Sequence, residues 1–548
     1  MMKKYIRCTL TFLLVAFLTS PVLPQSQDFE THMVAMRDSV RLATHVFRPA
    51  GPSHGAVLIR TSEKQERYTN VARRFVRAGY AVAIQNTRGR YGSEGVDSLF
   101  FDDGWGKRQD GYDTVEWLAK QPWSAGKVAC FGVGIDGFLA YQVVSSAPPG
   151  LTTAYVVSAP YDFYQDALFP AGAFRKEFAD VWFREHSGTA LTTLFEDYAR
   201  LSRFWLPLLN SRRASEVRVP VAHVTGWYDA FFNGAWRAFS INRRKARGLG
   251  KKYQKLIIGP WAGGLDAIGK RKQGELTFPD DAAFDVLADA TRWFDQWLKQ
   301  EDTGILYETP VRYYLMSSAG ESFAPGNEWR EAGEWPPDAK NVRFYLSMNG
   351  MLQRDKKDKN DTAEGYRYNP ENPVPTVGGA TVYYQPGPRD QQQVEKREDV
   401  LLFTTEPLSF PMTVAGRIRL KLYAASNMLD TDFTAKLTDV YPDGRSMLVA
   451  DGIVRARYRK SLQDEKTLSP NRVTVFEIDL GHTAIVFNEG HRIRLAISSS
   501  NSPRFEANPN TPTPFHQNTH MFTAVNSIYY GGKKASYLYL PIVPSADE

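Results

Sequence analysis

Six short apolar runs, spaced through the first 260 residues, constrain this chain more than any other feature. They are AVLIR (56–60), YAVAIQ (80–85), KVACFG (127–132), AYVVSA (154–159), VAHVTG (221–226) and KLIIG (255–259). Each is too short for a core helix and apolar on both sides, as a strand buried on both faces of a parallel sheet must be. Helical patterns such as GYDTVEWLAK and DGFLAYQVVSSA lie between them. Strand and helix in alternation predict a doubly wound α/β layer structure. After PVRYYLM the period changes. NVRFYLSMNG, RIRLKLYAAS, DFTAKLTDV, RVTVFEIDL and HRIRLAISSS alternate in steps of two and are separated by Gly, Pro, Asn and Asp, which predicts an all-β sandwich.

Two segments depart from these patterns. Residues 160–217 are rich in Phe, Tyr and Trp and read as amphipathic helices inserted between two core strands. There they would cap the carboxyl edge of the sheet, where such folds bind ligands. The first 25 residues have a basic start (Lys3, Lys4, Arg7), then about a dozen apolar residues, then a polar exit. That run falls short of the roughly 20 residues a bilayer span needs, so it reads as a cleaved secretory signal peptide and predicts a secreted or periplasmic protein. The expected organisation is a signal peptide over 1–25, α/β core over 26–159 and 218–310, cap over 160–217 and sandwich over 311–548.

Composition then excludes several classes. With 548 residues and 43% hydrophobic content, the chain can bury several domain cores. The net charge of +7 becomes +4 when Lys3, Lys4 and Arg7 leave with the leader, which is no signature of a nucleic-acid binder. Of two cysteines, Cys8 leaves as well, so Cys130 has no partner for an internal disulfide. Homo-oligomerisation is compatible with the sequence, which does not specify it.

CFGVGIDGFLA (130–140) reads as a strand, a tight turn and a helix. Hydrolases of the doubly wound class hold their nucleophile on such a turn, beside the helix N-terminus and a backbone N–H that faces the oxyanion. The acid and the histidine then follow in chain order. FGVGIDG (131–137), GWYDAF (226–231) and GPWAGG (259–264) occupy the three strand ends that this order requires.

The ordered motifs MRDSVRLATHVFRPA, NTRGRYGSEG, DGYDTVEWLAKQPWS, GWYD, GPW, RWFDQWLK, PGPRDQ, REDVLLFTTEPL, DTDFTAKLTDVYPDGR and GHRIRLAISSS carry a resemblance to the cocaine-esterase / X-Pro dipeptidyl-peptidase family. It runs from about residue 30 to the C-terminus. The resemblance implies an α/β-hydrolase domain with helical cap and C-terminal jelly roll, and ester or amide hydrolysis by a Ser–His–Asp triad with no metal or organic cofactor. The departures fall at the site. The family's G-x-S-Y-x-G lies on Gly132–Gly137, so Gly134 takes the nucleophile position and Ile135 supplies the oxyanion N–H. The triad acid is kept as Asp229. The base position of G-P-W-x-H is Gly263, and Glu63 stands where the family's R-T-P-Y turn places an oxyanion-donating Tyr.

These changes agree in direction. Glycine can neither attack a carbonyl nor carry a proton, and losing a nucleophile or base costs on the order of 10⁶ in kcat in a serine protease. A carboxylate at position 63 would repel an oxyanion. The chain is therefore expected to be an impaired hydrolase that binds a small molecule or peptide beneath the cap, with acidic groups favouring a cation. The competing expectation is an active ester or peptide hydrolase using nonstandard groups. Asp136, after a two-residue slip of the turn, is one candidate nucleophile; its bland role is a helix-start acid. Cys130 reads as a core thiol or, alternatively, a nucleophile. His223 and His186 are substitute-base candidates, against a buried and a solvated role respectively. His482, His491, His516 and His520 belong to the sandwich, and only His516/His520 has even a weak metal-like spacing. On this reading Gly134→Ser with Gly263→His should regain some esterase activity.

Overall fold

The computed structural model describes residues 28–186, 195, 197–321, 324–513 and 520–544. The expected signal peptide and His516 lie outside the described residues. The apolar runs form β3 to β8 of one sheet. Its first eight strands are β1 (Glu30–Ala35), β2 (Arg41–Phe47), β3 (Ala56–Thr61), β4 (Ala81–Asn86), β5 (Val128–Val133), β6 (Leu151–Val157), β7 (Val221–Gly226) and β8 (Gln254–Gly259). The order is β1-β2-β4-β3-β5-β6-β7-β8, followed by Val311–Leu315 and Glu328–Ala332. From β4 to Val311–Leu315 every pairing is parallel. Their residues are buried almost throughout, because helices cover both faces.

The sheet is wider than the six runs predicted. β1 and β2 form an antiparallel hairpin at one edge. At the other edge Val311–Leu315 pairs parallel with β8, and Glu328–Ala332 closes it antiparallel. The expected sandwich boundary at 311 therefore precedes two strands that finish the first sheet. The period-two text of PVRYYLM does not distinguish an edge strand of one sheet from the first strand of the next.

The C-terminal part is a jelly-roll sandwich whose strands run from Lys340–Ser347 to Tyr537–Ile542. The long strands Met412–Ser426 and Thr474–Phe487 pair antiparallel through a register shift at Ile418/Arg419. Its core is continuous with one face of the α/β sheet. Trp227, Phe232, Leu256 and Tyr314 pack in one cluster with Leu420, Phe433 and Ile478. A shared core of this kind fixes the two domains against each other.

The described residues of the insertion include the α-helix Lys176–His186, a π turn (Phe163–Leu168) and 3₁₀ turns over Arg203–Leu208 and Asn210–Glu216, with Phe195 and Asp197 also helical. Pro170, Pro207 and the left-handed Gly172 interrupt longer helices. The aromatic content forms its own core, with Phe163, Phe178, Trp182 and Trp205 all buried.

Candidate functional site

At the end of β5 the chain turns at Gly134 and enters the helix Ile135–Ser146. Gly134 has φ 61° and ψ −126°, a conformation that strains any residue with a side chain. Its N–H donates to the carbonyl of Val157 at the end of β6, 2.9 Å away, which ties the turn to the neighbouring strand. The backbone of a nucleophile elbow is thus intact around a missing side chain. The left-handed residue is Gly134, so Asp136 is not at the apex and the slipped register is not the one adopted. A Cβ built on Gly134 would meet nothing within 4 Å. Ile135 opens the helix, where first-turn N–H groups have no intrahelical acceptor.

The other positions come from adjacent strand ends, as the topology requires. Asp229 follows β7, Gly263 follows β8, and Glu63 follows β3. Together with Gly134, Ile135, Asp136 and Ser158 they line one cavity of about 510 Å³. Phe178 and Trp182 of the cap and Val382 and Tyr383 of a sandwich-side loop complete its wall. Glu177 accepts from the backbone N–H groups of Val382 (3.0 Å) and Tyr383 (3.1 Å), holding cap and loop together.

Asp229 is buried and has no imidazole. Its carboxylate instead accepts from Thr225 Oγ1 (2.8 Å) and the Phe231 N–H (2.8 Å), with a further hydrogen bond from Ser158. Burial raises its pKa despite these donors. Gly263 sits close by with φ 95°, and a Cβ there would lie 2.8 Å from the Asp229 carboxylate. The expectation that a histidine could simply be put back is therefore corrected. Either loop 262–264 or the Asp229 side chain must shift before a side chain fits at 263.

Glu63 does not stand as a free negative charge. It forms an i,i+4 ion pair with Arg67, and both line the cavity. The cavity wall still carries four carboxyl groups (Glu63, Asp136, Asp229, Asp266) against one guanidinium. Asp136 is buried, accepting from Tyr68 Oη (2.8 Å), Thr61 Oγ1 (2.9 Å) and the Ser62 N–H (3.3 Å). Desolvation and the charge of Glu63 raise its pKa to about 7, against the lowering effect of those bonds. It is a buried proton-exchanging group, not merely a helix-start acid.

The remaining candidates separate cleanly. His223 is buried, bonded to Tyr141 Oη (2.7 Å) and Gln254 Oε1 (2.9 Å), and burial lowers its pKa to about 4. Burial pushes the Cys130 thiol far up, which leaves it inert. His186 ends the cap helix. His491 bridges Asp439 and Glu321, and His482 accepts from Trp335 Nε1 at 3.0 Å. Among the described residues no cluster of three His, Cys, Asp or Glu could hold a metal ion. Sequence reasoning missed Ser158 and Tyr68. Ser158 has φ 49°, accepts from the Gly264 N–H (2.9 Å) and joins the strand end to the base loop. Its one sequence signal is its place between the apolar YVV and Ala-Pro.

Two outcomes follow from this geometry. Gly134→Ser should lower the melting temperature by the backbone strain alone, about 1–3 kcal/mol, while Gly134→Ser/Gly263→His should gain no esterase activity because the loop blocks the imidazole. The second concerns Asp136, whose folded pKa lies above its ordinary value near 3.8. Its contribution to stability is therefore greatest near pH 4 and is lost as pH rises to about 7. The melting temperature of Asp136→Asn minus that of the parent should climb across this window and level off above it, as thermal melts at pH 4–8 would read.

Comparison with known proteins agrees with this architecture. The profile described as X-Pro dipeptidyl-peptidase (S15 family) matches residues 38–194, and that of the X-Pro dipeptidyl-peptidase C-terminal non-catalytic domain matches 304–539. Cocaine esterase of Rhodococcus sp. (strain MB1 Bresler) is 30% identical, over 93% of this chain and 98% of its own. A putative serine esterase of Mycobacterium bovis is 25% identical over 87% and 91%. Among solved structures, an aminopeptidase from a marine sediment Thaumarchaeota archaeon superposes with a TM-score of 0.83 at 22% identity, covering 97% of this chain and 99% of its own. An α-amino acid ester hydrolase gives 0.83 at 24% identity, covering 96% and 100%. With its strand-end site, cap and jelly roll in the same order, the chain belongs to the cocaine-esterase / X-Pro dipeptidyl-peptidase family of serine hydrolases.

Proposed function

We propose that this chain is an exported member of the family that has given up acyl transfer and uses the pocket to bind a cationic small molecule or a peptide with a free amine. One observation carries the reading. The retained acid Asp229 has lost its imidazole: Gly263 stands beside its carboxylate with no side chain, and Gly134 opens onto the cavity that Asp229 also lines. The hydroxyls of Thr225 and Ser158 occupy the carboxylate that would orient a base. The excess of carboxyl groups on the wall supports a cationic ligand, as do the raised pKa values of Asp136 and Asp229. Burial is the chief cause of both shifts, and a cationic ligand would favour the ionised carboxyls and be bound more tightly by them. Export is supported by the basic start and short apolar run at the N-terminus.

A second reading has an observation of its own. Ser158 is a hydroxyl in a strained backbone beside the Asp229 carboxylate, in the same pocket as Asp136 with its pKa near 7. That pairing sets a hydroxyl beside carboxyl groups in one pocket and supports slow hydrolysis.

Calorimetry and thermal-shift screening with primary amines and peptides with free N-termini test the first reading. Binding should strengthen between pH 6 and 8 as Asp136 ionises and weaken in Asp136→Asn. No response from any amine would count against it. Turnover of an activated aryl ester, lost in Ser158→Ala, would establish the second reading instead.

A further inference from the structure

The pocket lies at the carboxyl ends of β7 and β8, and the opposite end of the same strands carries a surface of a different kind. Residues 243–252 read RRKARGLGKK, six cations and no acid. They run from the last turn of the helix Phe232–Lys245 to the residues just before β8. Arg218 joins them, because the Gly250 N–H donates to its carbonyl (2.9 Å) and the Arg247 N–H to that of Val217 (2.9 Å). All seven cations precede β7 or β8, whereas Asp229 and Gly263 follow them. Strands of six residues hold the two surfaces roughly 20 Å apart.

These cations lack counter-charges. Arg243 and Arg244 donate to the backbone carbonyls of Gly333 (2.7 Å) and Ser240 (3.2 Å), and none of the seven has a carboxylate partner among the described residues. Exposed arginines elsewhere do have one: Arg37 has Asp113, Arg74 has Asp285 and Arg445 has Asp443. The flanking segments carry the acids Glu216, Glu301, Asp302, Glu331 and Glu334, and none of them lies within ion-pair distance of the run. Like charges crowded in this way repel one another until a counter-charge arrives. Apolar side chains stand at the same end of the sheet. Leu249 follows the left-handed Gly248 and is 52% exposed. On the loop before Val311–Leu315, the strand that pairs with β8, Tyr307 is 81% exposed and Leu306 38%. Single exposed apolar residues are ordinary. Three of them on adjacent loops, beside unpaired cations, are the combination that binds at an anionic membrane surface.

We propose that the amino end of the sheet is a docking surface for an anionic lipid bilayer. The cations meet the lipid phosphates, and Leu249, Leu306 and Tyr307 enter the headgroup boundary. The chain then rests with its pocket at the end far from the lipid. A nucleic acid or other polyanion would meet the charge but leave Leu249 and Tyr307 in water. A second copy of the same face would bring cation against cation. The surface shares no residue with the pocket, so it does not depend on what the pocket binds.

The test is cosedimentation of the full chain with vesicles of equimolar phosphatidylglycerol and phosphatidylcholine, against vesicles of phosphatidylcholine alone. The chain should bind the anionic vesicles saturably at about 0.1 M salt, leave them at about 0.5 M, and ignore the neutral ones. A cation beside an anionic leaflet is worth roughly fivefold in affinity. Lys245→Gln/Arg247→Gln/Lys251→Gln, whose side chains have no partner to lose, should therefore bind roughly a hundredfold more weakly with an unchanged melting temperature. Leu249→Ser/Tyr307→Ser keeps every charge and should bind at least about tenfold more weakly. The proposal is overturned by absence of binding to anionic vesicles, by equal binding to neutral ones, or by undiminished binding of either variant. Tighter binding to a short duplex DNA than to the vesicles would overturn the bilayer as the partner.

Discussion

The hydrogen bond from the Gly134 N–H to the Val157 carbonyl pins the strand-to-helix elbow to the neighbouring strand. Everything at the pocket is measured from it. It sets where the helix Ile135–Ser146 begins, and hence where Ile135 and Asp136 stand relative to Ser158 and Asp229. A turn at φ 61° ordinarily persists because a catalytic side chain needs that position. Here it persists with no side chain to hold. The parallel sheet on either side over-determines the backbone, and glycine meets that demand without strain.

The chemistry around the turn has been redistributed more than erased. In a triad the acid orients an imidazole. In this chain its oxygens are taken by Thr225, Phe231 and Ser158, and loop 262–264 lies so near that a Cβ on Gly263 would be 2.8 Å from the carboxylate. The substitutions are thus coupled. A residue with a Cβ at 263 and an acid at 229 in its present place exclude each other. Glu63 follows the same logic, since Arg67 one turn later compensates a charge that would otherwise face a buried carboxyl.

The fold was readable because its signals are local. Runs buried on both faces cannot be amphipathic, and the change from mixed to period-two patterning marks a change of architecture. The strands after residue 310 complete the first sheet although they carry the same alternation as a sandwich strand, so the text alone does not separate the two. The cap was legible as helical from its aromatic spacing, and proline and glycine mark where its short turns break. At the site, the motif positions Gly134, Asp229 and Gly263 could be located, since strand-end order fixes them. The roles of Ser158 and Tyr68 could not, since each acts through a partner far away in sequence. The same holds for the pKa of Asp136, which depends on burial and on Glu63.

The Glu177 clasp has a consequence for traffic through the pocket. Its carboxylate is 3% exposed and holds two backbone N–H groups from the sandwich-side loop. Parting them would strand a charge in a medium of low dielectric. The cap helix and that loop are therefore tied to each other across the domain boundary, and any opening between them would have to break both bonds at once.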